Sequence, residues 1–497
     1  MNINKNMRKN LFILLILSAM TMPLQAQNGY KISFNSTSMA DGKYYMGQHF
    51  RDSYIVIDSA TAQKGMIAFA GKKKLARSVY VLLDAKKAKL FDFMVDDSQV
   101  FGITFDEQKS NAGMVVKGSK ANELMFKYMA KMDWARAQSK TIKESGEKVK
   151  EKMDALSDEM KNFEDNYMKE NKQYKFTQLI DMFSNIDVPD AIPAGCSDTN
   201  LREWQAKYYR AHYWDNVNLK DHSLIYTPQL FDKMNLYFFN ILYHQDADTT
   251  TKYVENLLDK VVNDSTMLRY FMDFALPKYE RDTKHIGWDQ VFVNLVRDYY
   301  LKGKCKWASD GEIYNKRQTV DFLSQSLIGA MGQELIMADT NQSEDPKDWI
   351  SSHALPQKYV MLWFWDPDCN HCKKQTAELK ILYDSLTAVG NKVFEVYAVG
   401  YESDVQKWLN YVRKHQLPFI NVGGPNVNID YQEAYNVHGA PTMILLNADR
   451  QIIMNKTLAT KMVLPFIEEY EKKHPEQANR TPSRWQLEGI RRAKVDK

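Results

Sequence analysis

Short apolar runs, several of them alternating apolar and polar residues, open the chain after residue 28. YKISF (30–34), SYIVID (53–58), GMIAFAG (65–71), SVYVLLD (78–84), KLFDFMV (89–95), VFGITF (100–105) and GMVVKG (113–118) recur every ten to fifteen residues, with Gly, Asp, Asn and Lys in the gaps. In those that alternate, a period of two turns one face inward. The spacing predicts a small antiparallel, β-sandwich-like domain over 28–118.

The period then changes. Val149, Met153, Leu156, Met160, Phe163 and Tyr167 follow a 4-3-4-3-4 spacing with Lys and Glu between them. That spacing draws one stripe down a helix. Its simplest use is core packing against other helices; a partner-binding coiled coil is the alternative. LREWQAKYYRAHYW (201–214) and TPQLFDKMNLYFFNIL (227–242) read as further helices, with a break at VPDAIPAG (188–195). Residues 119–330 are therefore expected to form an α-helical domain rich in aromatic residues, without a fixed-period repeat.

From 331 to 475 strands and helices alternate. YVMLWFW (359–365) is continuously apolar, as in a strand covered on both faces. A helix over 370–389 follows, with Leu379, Leu382, Leu386 and Val389 on one face. KVFEVYAVG (392–400), a helix over 403–415, PFINV (418–422) and a short helix over 430–437 come next. PTMILLN (441–447) and QIIMNK (451–456) close as a hairpin about Ala448-Asp449-Arg450, before a helix over 460–473. This alternation predicts a C-terminal α/β fold. Residues 476–497 read as a polar, mildly basic tail.

With 497 residues the chain is too long for one core, and its 44% apolar and 26% charged residues are ordinary globular values. Lys5, Arg8 and Lys9 precede the apolar run LFILLILSAM (11–20), and TMPLQA (21–26) ends in Ala26. This is the pattern of a signal peptide over 1–26, cut near Ala26, and it predicts export to the periplasm. No cysteine lies near that point to carry a lipid anchor, and no later run is long enough to span a membrane. The formal charge of +4 falls to +1 without residues 1–26, which gives no electrostatic reason to expect nucleic acid as a partner.

Four cysteines, Cys196, Cys305, Cys369 and Cys372, are too few for a disulfide scaffold. Cys196 and Cys305 read as two separate buried thiols, with pairing as the alternative. His212 and His244 sit among aromatics and read as packing or hydrogen-bonding residues. Asp246 and Asp248 lack the other ligands of a calcium loop. No phosphate loop, GxSxG or HExxH is present.

The specific signal is WFWDPDCNHCKKQ (363–375). Cys369 falls where a buried strand gives way to a helix, and free N–H groups at a helix start favour a thiolate. Cys372 lies one turn on, within reach of a mixed disulfide at Cys369. His371 is placed to tune the pair by stabilising the thiolate. A structural zinc site would need two further ligands, and there is no second CxxC or HxxxH to supply them, so no metal is expected. A loop this short restrains the chain little, which argues against a purely structural disulfide.

With HGAPT (438–442) ahead of the closing hairpin, residues 331–475 resemble the TlpA-like thioredoxins, a family of exported bacterial thiol–disulfide oxidoreductases. The resemblance implies that Pro441 is cis and faces the cysteines, and that Ala440 offers backbone to a substrate strand. It also accounts for the extra strand–helix element between the two motifs. The function implied is disulfide exchange with client proteins, Cys369 attacking and Cys372 resolving. No cofactor is implied, and a membrane-bound redox partner is. The family pattern is not complete. Trp363 stands where many thioredoxins carry a buried acid, Gln375 where TlpA-like reductases often have Glu, and Ala377 where a helix-kinking proline is usual. Asp366 or Asp368 is left as a substitute proton acceptor, with solvation as their simpler role. The upstream layout resembles exported proteins with β-rich and helical accessory domains, and assigns them no chemistry. The alternative function is a binding scaffold built on those two domains.

Overall fold

The computed structural model describes residues 29–478 and Arg480, apart from 107–110, 283–284, 391–392 and 402–403. The expected signal peptide and almost all of the tail beyond 478 lie outside the described residues. The chain divides into two compact units, one ending at Ile241 and the other beginning at Leu242. The helical territory is thus shared between them.

Among the described residues of the first unit eight strands precede the helices: β1 (Tyr30–Asn35), β2 (Gly42–Phe50), β3 (Ser53–Ala62), β4 (Met66–Gly71), β5 (Ser78–Leu83), β6 (Lys89–Val95), β7 (Val100–Thr104) and β8 (Val115–Lys117). They form two four-stranded sheets, ordered β4-β1-β7-β8 and β3-β2-β5-β6. Tyr30, Ile32 and Phe34 of β1 are buried while Lys31 and Asn35 are exposed, as the alternation requires. Phe34 meets Phe93 of the other sheet edge to face, with ring centroids 5.1 Å apart. Two features depart from the sequence reading. The GKYYMGQHF stretch is a strand, β2, that two glycines and mixed polarity obscured. The pairing is not wholly antiparallel, because β1 and β7 run parallel.

Helices α1 (Lys120–Ser145), α2 (Val149–Glu170), α3 (Lys175–Asp181), α4 (Leu201–His212) and α5 (Pro228–Leu236) complete this unit. Ser119 caps α1, and Asn122 exchanges two hydrogen bonds (2.7 and 2.8 Å) with the backbone of Met94, closing the free edge of β6. The 149–167 stripe lies along α2 as read, but it is not core: only Tyr167 is buried. Cys196 is exposed, not buried, and Cys305 of the second unit is buried; both are unpaired. His212 bonds Asp215 (2.6 Å) and stacks on Tyr208.

The second unit opens with α6 (Ala247–Lys260), α7 (Ser265–Glu280), α8 (Trp288–Leu295) and α9 (Asp310–Ser324). Asp246 caps α6, accepting from the Thr249 amide, which explains that acid without calcium. A seven-stranded sheet follows, ordered β10-β9-β13-β12-β11-β14-β15. Its strands are β9 (Ile336–Asp339), β10 (Ile350–Ser351), β11 (Tyr359–Trp365), β12 (Phe394–Gly400), β13 (Ile420–Val427), β14 (Thr442–Leu446) and β15 (Ile452–Met454). Helices α10 (Asn370–Ala388), α11 (Val405–His415), α12 (Tyr431–Ala434), α13 (Val463–Lys473) and α14 (Pro475–Ala478) cover it. All seven residues of β11 are buried, since it is central and covered on both faces. Tyr359, Met361, Trp363 and Trp365 pack with Leu379 and Tyr383 of α10. Val360, Leu362 and Phe364 pack on the other face with Leu335 and Tyr435. Val389 does not share the buried face of α10. It lies just past the helix end and is 74% exposed.

The helical segment of this unit also joins the sheet. Backbone bonds run from Gly329 N to Ile452 O (2.7 Å) and from Ile452 N to Ala330 O (2.9 Å), extending the β15 edge. At Gly332 a Cβ would meet Leu446, the Tyr435 hydroxyl and the Arg450 carbonyl at 2.9–3.0 Å, so this crossing needs glycine.

Candidate active site

β11 ends at Trp365, and Asp366-Pro367-Asp368 turns the chain into α10. Cys369 is the N-cap of that helix, and its Sγ accepts the Cys372 amide at 3.3 Å. Across the cleft the Ala440–Pro441 bond is cis. The Cys369 thiol donates to the Ala440 carbonyl at 3.6 Å. Thr457 holds the far side of this loop: its hydroxyl donates to Pro441 O (3.0 Å) and accepts from Met443 N (3.2 Å). The strand pairing of β11 with β14 sets the two motifs side by side, with Phe364 opposite Thr442.

The two thiols differ in setting. Cys369 is partly exposed and Cys372 fully buried. Burial pushes the Cys372 thiol up to about 12, assisted by its hydrogen bond to Cys369 and by the charges of Cys369 and Asp366. One accessible sulfur backed by one shielded, neutral thiol is the asymmetry that dithiol exchange uses.

Among the departures noted in the sequence, Trp363 is buried, and its indole N–H donates to the Thr376 hydroxyl at 3.1 Å. An indole and a hydroxyl thus fill the place of a buried carboxylate. Asp368 is committed to an ion pair with Lys407. Asp366 accepts the Asp368 amide at 2.6 Å and is the carboxylate whose charge Cys372 senses. His371 is exposed, on the first turn of α10, and no hydrogen bond joins it to Cys369. Cys369, Cys372, Ala440 and Pro441 are therefore brought together, while any influence of His371 on the sulfur is through its charge.

Three contributions had no signal in the sequence. Thr457 lies 16 residues beyond the proline that it steadies. Asp289, at the start of α8, is 3% exposed and accepts from Asn455 Nδ2 at 2.6 Å, two residues before Thr457. Phe322 of α9 lies against the His438 ring, with centroids 6.1 Å apart. The helical segment thus reaches the loop that faces the cysteines. Among the described residues no group of three or more His, Cys, Asp or Glu side chains is placed to hold a metal ion.

Fold and site together define a thioredoxin-like domain. Residues 357–452 match the thioredoxin-like family model, and this part of the chain is a thioredoxin-like domain. Upstream, residues 30–125 match a domain of unknown function, DUF4369, and residues 139–309 a second one, DUF5106. No curated protein matches the chain. Among solved structures, the chain is similar to a thioredoxin-like protein from Bacteroides caccae at 20% identity, covering 59% of this chain and 99% of that one, with a TM-score of 0.45. It is also similar to a domain of a possible thiol-disulfide isomerase from Cytophaga hutchinsonii at 26% identity, covering 30% of this chain and 97% of that one, with a TM-score of 0.27. The thioredoxin domain of a thiol-disulfide oxidoreductase from Bacteroides vulgatus matches at 19% identity, covering 29% of this chain and 96% of that one, with a TM-score of 0.24.

Proposed function

We propose that the chain is an exported, periplasmic thiol–disulfide oxidoreductase of the TlpA-like kind, which exchanges disulfides with client proteins. The observation that carries this reading is the unequal pair at the start of α10: Cys369 accessible against the cis Ala440–Pro441 bond, Cys372 buried one turn behind it. In the reducing direction the Cys369 thiolate attacks a client disulfide. A Cys369–client bond forms, the client S–S bond breaks, and one client sulfur leaves as thiolate. Cys372 then gives up its proton, to Asp366, and attacks Cys369. The intramolecular disulfide forms and the second client thiol is released. The client gains two electrons and the dithiol loses them. A dithiol donor, membrane-bound in this reading, restores the pair. The oxidising direction is the same path reversed. Ala440 presents its carbonyl and amide to the client backbone, and Pro441 shapes the groove.

The test is turnover of a protein disulfide by the purified mature chain, beside Cys369→Ser and Cys372→Ser variants. Activity is expected to vanish in the first. The second is expected to accumulate covalent client complexes, because the mixed disulfide has lost its internal exit. Absence of turnover by the wild type in every redox buffer would defeat the enzyme reading and favour a binding scaffold.

A further inference from the structure

The α1–α2 hairpin of the first unit stands apart from the redox chemistry. Gly146, in the left-handed region at φ 67°, ends α1 and lets α2 turn back along it. The hairpin is buried only at its base, and Asn111 Nδ2 donates to Asp133 Oδ2 (2.8 Å) midway along α1. The buried residues of α1 all lie between Ala121 and Phe126, and α2 buries only Tyr167. Tyr128 packs there against Tyr167 (5.1 Å) and Phe176 (5.6 Å). None of residues 127–166 is buried.

That stretch is nevertheless patterned for burial. Met132, Ala135, Met153, Leu156 and Met160 line a groove of about 680 Å³ between the two helices. Two helices alone leave such a seam open on one side. Four close it, and antiparallel hairpins pair readily into a four-helix bundle. Methionines suit a seam that must accept another apolar surface.

The charges identify what closes it. Over 127–145, α1 carries five basic and two acidic residues, a net +3. Over 149–166, α2 carries three basic and six acidic residues, a net −3. Lys131 and Glu159 already pair across the hairpin. A single helix of one sign could complement one side of the groove and would be repelled by the other. A second hairpin of the same sequence, related by a two-fold axis, sets each basic helix on its partner's acidic one.

We propose that the α1–α2 hairpin is a dimerisation arm, which packs against the same hairpin of a second copy to form a four-helix bundle. The proposal concerns the first unit and does not depend on the redox reading. It is tested by sedimentation and light scattering on the full mature chain from micromolar to submillimolar concentration. The expected result is a concentration-dependent dimer. Met153→Lys with Met160→Lys is expected to raise its dissociation constant at least about tenfold, ~1.4 kcal/mol, with helix content unchanged. A second pair of variants guards against misfolding. Lys140→Glu with Lys143→Glu, and separately Asp154→Lys with Asp158→Lys, should each be monomeric alone and form a heterodimer when mixed. A wild type that is monomeric throughout overturns the proposal, as does a dimer indifferent to all three variants. A monomer whose hairpin is covered instead by a client helix overturns it too.

Discussion

At the residue scale, the difference between the two sulfurs is the feature most open to measurement. Cys372 is fully buried, and burial holds its thiol up to about 12, so it stays protonated at neutral pH. Cys369 is accessible. Alkylation of the native, reduced protein at neutral pH is therefore expected to modify Cys369 and spare Cys372 until the fold is lost. Peptide mass mapping checks this, and equal labelling of both would refute the division of roles. A second prediction concerns direction. Free N–H groups at a helix start favour negative charge, which for the N-cap Cys369 means the reduced dithiol, and a protonated His371 would add to this. The couple is expected to lie above thioredoxin's value of about −270 mV. His371→Pro should lower it by about 30 mV or more, equivalent to ~1.4 kcal/mol. Equilibration with glutathione followed by thiol counting decides the matter; a wild-type value at or below thioredoxin's, unmoved in the variant, refutes the tuning role. The sequence placed His371 beside the sulfurs by proximity. It is exposed and makes no hydrogen bond to Cys369, which proximity alone could not reveal.

At the element scale, Arg450 shows how a turn can fasten a sheet. It sits at φ 64° in the β14–β15 turn with no exposed surface. Its guanidinium donates to the carbonyls of His353, Leu355, Gln357, Lys358 and Asn447, tying the strand-free stretch before β11 to the closing hairpin. Burial lowers its pKa to about 10, still charged at neutral pH. Arg450→Met would leave those carbonyls unpaired and is expected to cost about 3 kcal/mol, seen as a lower thermal midpoint. Lysine should recover only part of this, because a point charge cannot reproduce the planar fork. The reading of Ala448-Asp449-Arg450 as a turn was within reach of the sequence. The role of Arg450 was not, since its five acceptors come from four residues more than 90 positions away and one nearby.

At the scale of the molecule, the thioredoxin-like domain does not end where its motifs do. Residues 329–330 pair with β15, Asp289 holds Asn455, and Phe322 lies on His438. A chain cut to 331–475 loses all three supports. It is expected to unfold at lower temperature and to reduce a model disulfide more slowly than a chain spanning 242–478, which should match the full protein on that substrate. Equal melting and equal rates would show that the helical segment is dispensable to the site. Selectivity for clients is the property expected to need the first unit, and native disulfide clients presented to both chains would measure it.

What the sequence by itself determined was whatever depends on local periodicity and near neighbours. Short apolar runs bounded by turn residues marked seven of the eight strands described in the N-terminal unit, and β11 was legible as a doubly covered strand because every residue in it is apolar. Cys369 and Cys372 were legible because three residues of spacing place both in the first turn of one helix. The resemblance carried by HGAPT supplied Pro441 as their counterpart, 72 positions beyond Cys369. Only the tertiary structure decided which apolar stripes are covered. The stripe on α2 and the one on α10 obey the same period, yet α10 packs on a sheet, while α2 lies along α1 and is buried only at Tyr167, near α3. Periodicity reports which side of a helix is apolar and carries no information on what lies against it. The same limit hid Asp289, Phe322 and Thr457: their contributions come from partners far along the chain, which only the packing of the second unit brings to the cysteines.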